Sequence, residues 1–352
     1  MFNPMNRIWK LVCVLILTYV FLAGLLFPLK PGILNVSPNK IAAGNTATFR
    51  VEGYNTLFLR SSPAEYRAWL KLDSSVVLAA QNVKTTSDVA LDLQFDIPKN
   101  LPFKGTVTDF TLILDDPYNG TSVLPSAVFV TKDSSISSET SPFQSAKISN
   151  LNTKKGINFP YRNILSETIR NTYFHVPLWF GMMILFAFAV YYSWKYLTTQ
   201  QIEYDFKAEA LTQIGVLFGV LGTITGAIWA KHTWGAYWSW DVKQNMSAIC
   251  ILIYMAYFVL RNSFDDDAQS ARLGAVFNIF AFAAMIPLLF VIPRLTDSLH
   301  PGNGGNPAFG SQDLDSTMRM IFYPAVIGWT LLGFWIADTT YRYKKINFKM
   351  QF

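Results

Sequence analysis

The sequence predicts an all-α polytopic membrane bundle of six transmembrane helices, with an all-β, sandwich-like extracytoplasmic domain inserted between the first and second. Three observations predict it. The 352 residues are 51% hydrophobic and only 15% charged, where typical soluble domains carry about 25% charged residues. Six apolar stretches approach the length of about 20 helical residues needed to cross roughly 30 Å of hydrocarbon. Between the first and second of these the pattern changes to short alternating segments broken by turn residues.

The first span is expected over 11–29. Arg7 and Lys10 precede it, as in a signal peptide, but Phe27, Pro28, Leu29 and Lys30 follow where small residues would mark cleavage, so a retained span is favoured. The other spans are expected over 176–196, 211–230, 246–260 (a short one), 273–292 and 320–337. Arg7, Lys10, Lys195, Lys207, Arg261, Arg272, Arg342, Lys344, Lys345 and Lys349 flank one set of ends, against Lys231, Lys243, Arg294 and Arg319 at the other. Ten against four places both termini in the cytoplasm, in a cytoplasmic (inner) membrane. The net charge of +6 does not point to nucleic acid, because the basic residues sit at span ends and form no block. Cys13 and Cys250 fall inside apolar runs and make neither a disulfide framework nor a zinc site.

Residues 31–130 read as strands. Ala47 to Val51 precede Gly53, Val89, Leu91, Leu93 and Phe95 alternate with polar residues, and 110–114 and 127–130 are similar. Asp116, Pro117, Tyr118, Asn119 and Gly120 supply a turn. About 100 such residues suggest an antiparallel sandwich. Residues 131–169 are expected as a Ser/Thr-rich linker and membrane approach, 170–343 as a five-helix core, and 344–352 as a basic tail. The β region has no His and no Cys, so a partner-contact or supporting role is expected of it.

The chemistry concentrates in the loop expected over 231–245. Trp234, Gly235, Ala236, Tyr237, Trp238, Ser239, Trp240 and Asp241 put three of the ten Trp and a Tyr into eight residues. An interfacial aromatic belt explains one or two rings at a span end, but not a cluster that ends in an acid. Indole faces at the membrane surface suit a large, flat, apolar ligand, each burying on the order of 150–250 Å². The chain has three His: His175, His232 and His300. All are expected on the outer side at or beyond span ends, His175 at the mouth of the second span and His300 before the last, followed by Pro301 and Gly302. Single interfacial histidines are usually structural, but two on separate segments beside one aromatic cluster fit axial ligation of haem iron. Zinc is the competing metal, and the set lacks Cys, Asp or Glu at ligand spacing.

The pattern from Trp234 to Asp241 resembles the tryptophan-rich (WWD) signature of the haem-handling proteins of cytochrome c biogenesis, within them the CcmC type. Tyr173 to Pro177 and Ser298 to His300 resemble that family's two haem-ligand segments, and the likeness covers roughly 170–343. The resemblance implies that His175 and His300 are axial ligands of haem b carried as cargo, with Trp234, Gly235, Tyr237, Trp238, Trp240 and Asp241 as the platform. Lys231 and Lys243, with Arg170 and Arg294, are expected partners for the haem propionates, Asp241 an orienting group, and His232 a structural residue or auxiliary ligand. Partners implied are a periplasmic haem chaperone, other cytochrome c maturation membrane subunits and the bilayer, with no nucleic acid. The chain is then not an enzyme: it binds haem and releases it when one His is displaced. A cytochrome c haem lyase is the alternative, against which no His falls mid-span. A permease subunit is a further one, for which the spans hold few ionisable residues. The inserted β domain departs from the family's short first outer loop.

Overall fold

A computed structural model describes residues 8–103, 105–132, 145–300 and 314–350. The chain divides into two compact units. Met1–Phe27 with Glu167–Phe352 forms one, and Pro28–Ser166 the other.

The first unit is helical: α1 (Ile8–Leu26), α2 (His175–Thr199), α3 (Ile202–Trp234), α4 (Val242–Arg261), α5 (Asp267–Ile286) and α6 (Ser316–Met350). All six are long and apolar enough to cross a membrane, and the chain is a polytopic membrane protein. The α2–α3 seam is its closest packing. Large side chains of α2 descend onto a row of glycines on α3: Phe186 onto Gly215, Met182 onto Gly219, Trp179 onto Gly222 and His175 onto Gly226. The spacings of four, three and four residues mirror each other along two antiparallel helices. Association within lipid relies on van der Waals contact and interhelical hydrogen bonds, since lipid tails offer no hydrophobic drive, and small residues let backbones approach. Asn278 of α5 adds a polar bolt, donating to Ser193 Oγ of α2 at 3.2 Å and Thr212 Oγ1 of α3 at 3.0 Å.

Two helices exceed their apolar cores. α3 begins nine residues before 211 and α6 runs through the stretch expected as a basic tail, because the extra turns pair their charges. Arg261 of α4 grips Asp205 of α3 with both terminal nitrogens, at 2.6 and 2.8 Å, and reaches Glu209 at 3.3 Å. Lys344 of α6 meets Glu209 at 2.7 Å, and Lys345 meets Glu203. The α-helical pattern of α5 stops at Ile286, short of 292, because Pro287 brings no N–H. A wider turn over Pro287–Val291 and a short one over Ile292–Arg294 continue the chain.

The second unit holds two sheets. One has the order β1 (Gly32–Ser37), β3 (Thr46–Tyr54), β7 (Ala90–Asp96), β6 (Asn82–Ser87). The other runs β2 (Lys40–Ala42), β9 (Gly120–Thr131), β8 (Val107–Asp116), β4 (Arg67–Lys71), β5 (Val77–Ala79). Phe49, Val51, Leu91, Leu93 and Phe95 of the first sheet share one apolar cluster with Leu70, Phe110, Leu112, Leu114 and Val128 of the second. The strand pairs are antiparallel except β2 with β9, which is parallel. Pro38 and Asn39 alone separate β1 from β2, so the chain changes sheets at once and β2 enters as an edge beside the last strand. A bulge between Ile33 and Asn35 breaks the alternation of β1, so this strand lacks a period-2 signal.

The described part of the Ser/Thr-rich stretch returns to this unit. Ala146 donates to Val77 O at 2.9 Å, and Asn152 donates its backbone N–H and side-chain amide to buried Asp115 at 2.7 and 2.9 Å. The remainder of that stretch, 133–144, lies outside the described residues, as do Pro301 and Gly302.

Arg261→Ala leaves buried Asp205 without its guanidinium partner, while Glu209 keeps Lys344. A loss of about 3–5 kcal/mol is expected, measured as a lowered unfolding midpoint in detergent. An unchanged midpoint refutes the lock.

Candidate functional site

The site grows from the end of α3. Gly235, at φ +84°, stops the helix in a left-handed cap whose N–H returns to Lys231 O. Lys231 folds back to donate its Nζ–H to Gly235 O at 2.9 Å and lies over the Tyr237 ring. Ser239 is pinned to Gln244 through its N–H and hydroxyl, at 2.9 and 3.0 Å. Asn245 donates to Trp240 O at 2.8 Å, which steadies Trp240 at φ +58°. The bonds from Gln244 and Asn245 use residues at the start of α4 to fix the loop before it.

Asp241 is the junction. Buried, it caps α4 by accepting the Lys243 N–H at 2.8 Å. It also accepts the Leu299 N–H at 2.7 Å, the Ser298 hydroxyl at 3.1 Å and His300 Nδ1–H at 2.8 Å. Burial opposes its ionisation, yet the Leu299 N–H and the neighbouring imidazole outweigh that and hold the carboxyl below its usual range. Burial also pulls His300 below the ordinary imidazole range, with Asp241 opposing. The ring is therefore neutral near pH 7, with its proton on Nδ1 facing the carboxylate. Expected as an orienting group, Asp241 bonds the backbone at Lys243 and Leu299 and the imidazole of His300.

His175 reaches the same arrangement by other means. It is the first residue of α2, after a 3₁₀ turn over Ser166–Tyr173. Its Nδ1 lies 2.9 Å from Gly222 O and 3.2 Å from Thr225 Oγ1. A carbonyl only accepts, so Nδ1 carries the proton here too. Both histidines thus commit Nδ1 to an acceptor and keep the lone pair on Nε2, which is how metal-ligating histidines are oriented. Neither Nε2 has a hydrogen-bond partner among the described residues.

α3 brings the two rings to one region. Gly226 lies against His175, and Trp229, one turn further on, has its ring centroid 6.4 Å from that of His300. Trp234 stands edge-on to His300 at 4.7 Å and to Trp229 at 4.9 Å. Among the described residues no group of three or more His, Cys, Asp or Glu assembles as a metal site. A pair of imidazoles, were it to hold a metal, would suit haem iron better than zinc.

The other expected residues divide. Trp238 and Trp240 lie 6.5 Å apart at 86°. The loop therefore offers edges and faces at right angles rather than coplanar indoles. Trp240 and Tyr237 are 78% and 60% exposed, leaving apolar rings free at this end of the bundle. Lys243 is within electrostatic range of Asp241, Arg294 and His300. Arg170 is committed elsewhere, to Glu167 and to the Gly24 and Phe27 carbonyls at the end of α1. His232 is exposed on the last turn of α3 and makes no hydrogen bond among the described residues. Sequence reasoning missed Trp229, Thr225, Gly222 and Gly226. The glycines recurring at 215, 219, 222 and 226 were the available signal, a small-residue helix face.

Asp241→Ala removes a helix cap, worth about 0.5–2 kcal/mol, and the anchor of Ser298, Leu299 and His300. Hydrogen exchange at the Leu299 amide should accelerate while that of the α2–α3 seam stays slow. Unaltered exchange at Leu299 would refute the anchoring role.

Comparison with known proteins identifies the family of the helical unit. The family model described as CcmC, Heme exporter protein C, matches residues 157–350, leaving most of the β unit outside. Heme exporter protein C of Escherichia coli K12 is 23% identical over 174 residues, 49% of this chain and 67% of the relative. That of Bradyrhizobium diazoefficiens is 28% identical over 170 residues, 47% of this chain and 62% of the relative. Cytochrome c biogenesis protein CcsA of Synechococcus sp. CC9902 is 40% identical over 70 residues, 20% of this chain and 23% of the relative. The likenesses thus span about two thirds or less of these relatives' own length. With the family model covering more than half of the chain, this protein belongs to the CcmC, heme exporter protein C, family.

Proposed function

We propose that this protein binds haem b as cargo on the outer face of the cytoplasmic membrane and hands it to a haem chaperone during cytochrome c maturation. One observation carries the reading: two histidines from separate elements at one end of the bundle both hold Nδ1 on an acceptor and leave Nε2 free to ligate. The names of the similar proteins, heme exporter protein C and CcsA, support the same cargo and the same pathway. His175 and His300 supply the axial bonds. Trp229 and Trp234 pack beside His300, and the exposed rings of Trp240 and Tyr237, with half-buried Trp238, shield the porphyrin edge from water.

The propionates need cations, because leaving an anion unpaired near a low-dielectric surface is costly. Lys243 serves best, lying within electrostatic range of His300 and of Arg294, the second candidate. Lys231, held on Gly235 and Tyr237, stands at the rim. Asp241 orients His300 and makes no bond to the cargo. The chain binds and releases haem without making or breaking its covalent bonds. Both termini are cytoplasmic in this reading, and the two sheets form an extracytoplasmic sandwich that meets partner subunits.

Purified protein loaded with haem should show a low-spin Soret spectrum of bis-imidazole type. His175→Ala and His300→Ala should each abolish the low-spin character, and wild-type spectra in both variants would overturn the assignment. Replacing residues 29–156 by a flexible linker should preserve the spectrum and reduce capture of the other maturation subunits. A lost spectrum in that variant would make the β unit part of the haem site.

A further inference from the structure

The two histidines are held in unequal ways. His175 lies within the tightest seam of the bundle. A Cβ on Gly226 would fall 2.6 Å from His175 Cε1, 3.2 Å from Nδ1 and 3.4 Å from Nε2, so the ring rests directly on the α3 backbone. Nδ1 is bonded to the main-chain oxygen of Gly222, and Thr225 Oγ1 accepts there too, because its own hydrogen is aimed at Leu221 O at 2.8 Å. Trp179, one turn along α2, has its ring centroid 6.3 Å from that of His175 and fills the space over Gly222. Displacing this imidazole means giving up a backbone acceptor and unpacking two helices.

His300 stands on a turn between helices. Ser298, Leu299 and His300 all bond to one carboxylate, that of Asp241. Its ring meets Trp234 edge-on, and 22% of its side chain is exposed. Releasing it disturbs one side chain and no helix–helix seam.

We propose that His175 is the retained axial ligand, seated by the α3 backbone at Gly222 and Gly226, and that His300 is the ligand replaced when haem is handed over. The inference rests on the haem reading above and specifies its order of events. In the exchange the bond from iron to His300 Nε2 opens and the lone pair of a neutral nitrogen donor on the acceptor takes its place. The iron keeps its oxidation state, and the Nδ1 proton stays between His300 and Asp241, so no electron or proton is left over.

The test uses full-length protein loaded with haem, then gel-filtered without added ligand. His300→Gly should keep about tenfold or more haem than His175→Gly, in the range that loss of an orienting partner costs a metal site. Free imidazole should restore the low-spin Soret band in both. Gly226→Ala should lose haem as His175→Gly does and be rescued by imidazole. Gly219→Ala, whose methyl comes nearest to the flexible side chains of Met182 and Ile251 and not to either histidine, should keep it. If Gly226→Ala does not accumulate, Thr225→Val, which removes one Nδ1 acceptor while keeping the branched shape, should lower retention severalfold. Equal retention in the two histidine variants, or better retention in His175→Gly, overturns the order. Wild-type protein without a low-spin spectrum instead overturns the haem reading itself, so the two failures are distinguishable.

Discussion

The close approach of α2 to α3 is the constraint on which the rest of the structure depends. Four glycines at 215, 219, 222 and 226 give α3 a face with no side chains, and four large residues of α2 lie in it. In lipid this contact rests on dispersion, packing and the hydrogen bonds that cross it, so it must be continuous to hold. The seam ends at His175. The last large residue of a packing row is thereby also a metal-ligand candidate, and its position carries the rigidity of two helices. At the far end, the charges of Asp205, Glu209, Arg261 and Lys344 close on one another, tying α3 to α4 and α6.

From that fixed line the aromatic loop is built outward. Gly235 ends α3, Asp241 begins α4, and the residues between are held by Gln244 and Asn245 from the new helix. Asp241 then recruits a third element through Ser298, Leu299 and His300. One buried carboxylate, kept ionised by the N–H groups and imidazole around it, joins a helix cap to a histidine tether. The rings of Trp229 and Trp234 fill the angle between α3 and that tether. The result is a pair of histidines of which one belongs to the scaffold and the other to a turn.

The β unit follows a different logic. Its shared apolar cluster closes on itself, and buried Asp115 fastens the returning stretch at Asn152. The family match begins at residue 157, so the haem-handling core and the β unit are separable in sequence as well as in packing. The function of the core is therefore argued from the helical unit alone.

Several things were legible in the chain itself. Six apolar runs announced the six helices, because a span must satisfy its backbone internally and shed charge. The cluster from Trp234 to Asp241, with histidines at two other span ends, pointed to the end of the bundle where these side chains gather. The strands β3, β7, β8 and β9 were visible by alternation, while β1 was hidden by its bulge and β2 by its three-residue length. Only the tertiary structure decided what each polar group does. That Asp241 holds His300, that Gly222 offers its carbonyl to His175, and that Trp229 joins the pocket are contacts between residues 47 to 71 positions apart. Sequence reports which side chains exist and how they repeat locally; a hydrogen bond across helices depends on how two surfaces pack, which no local pattern encodes.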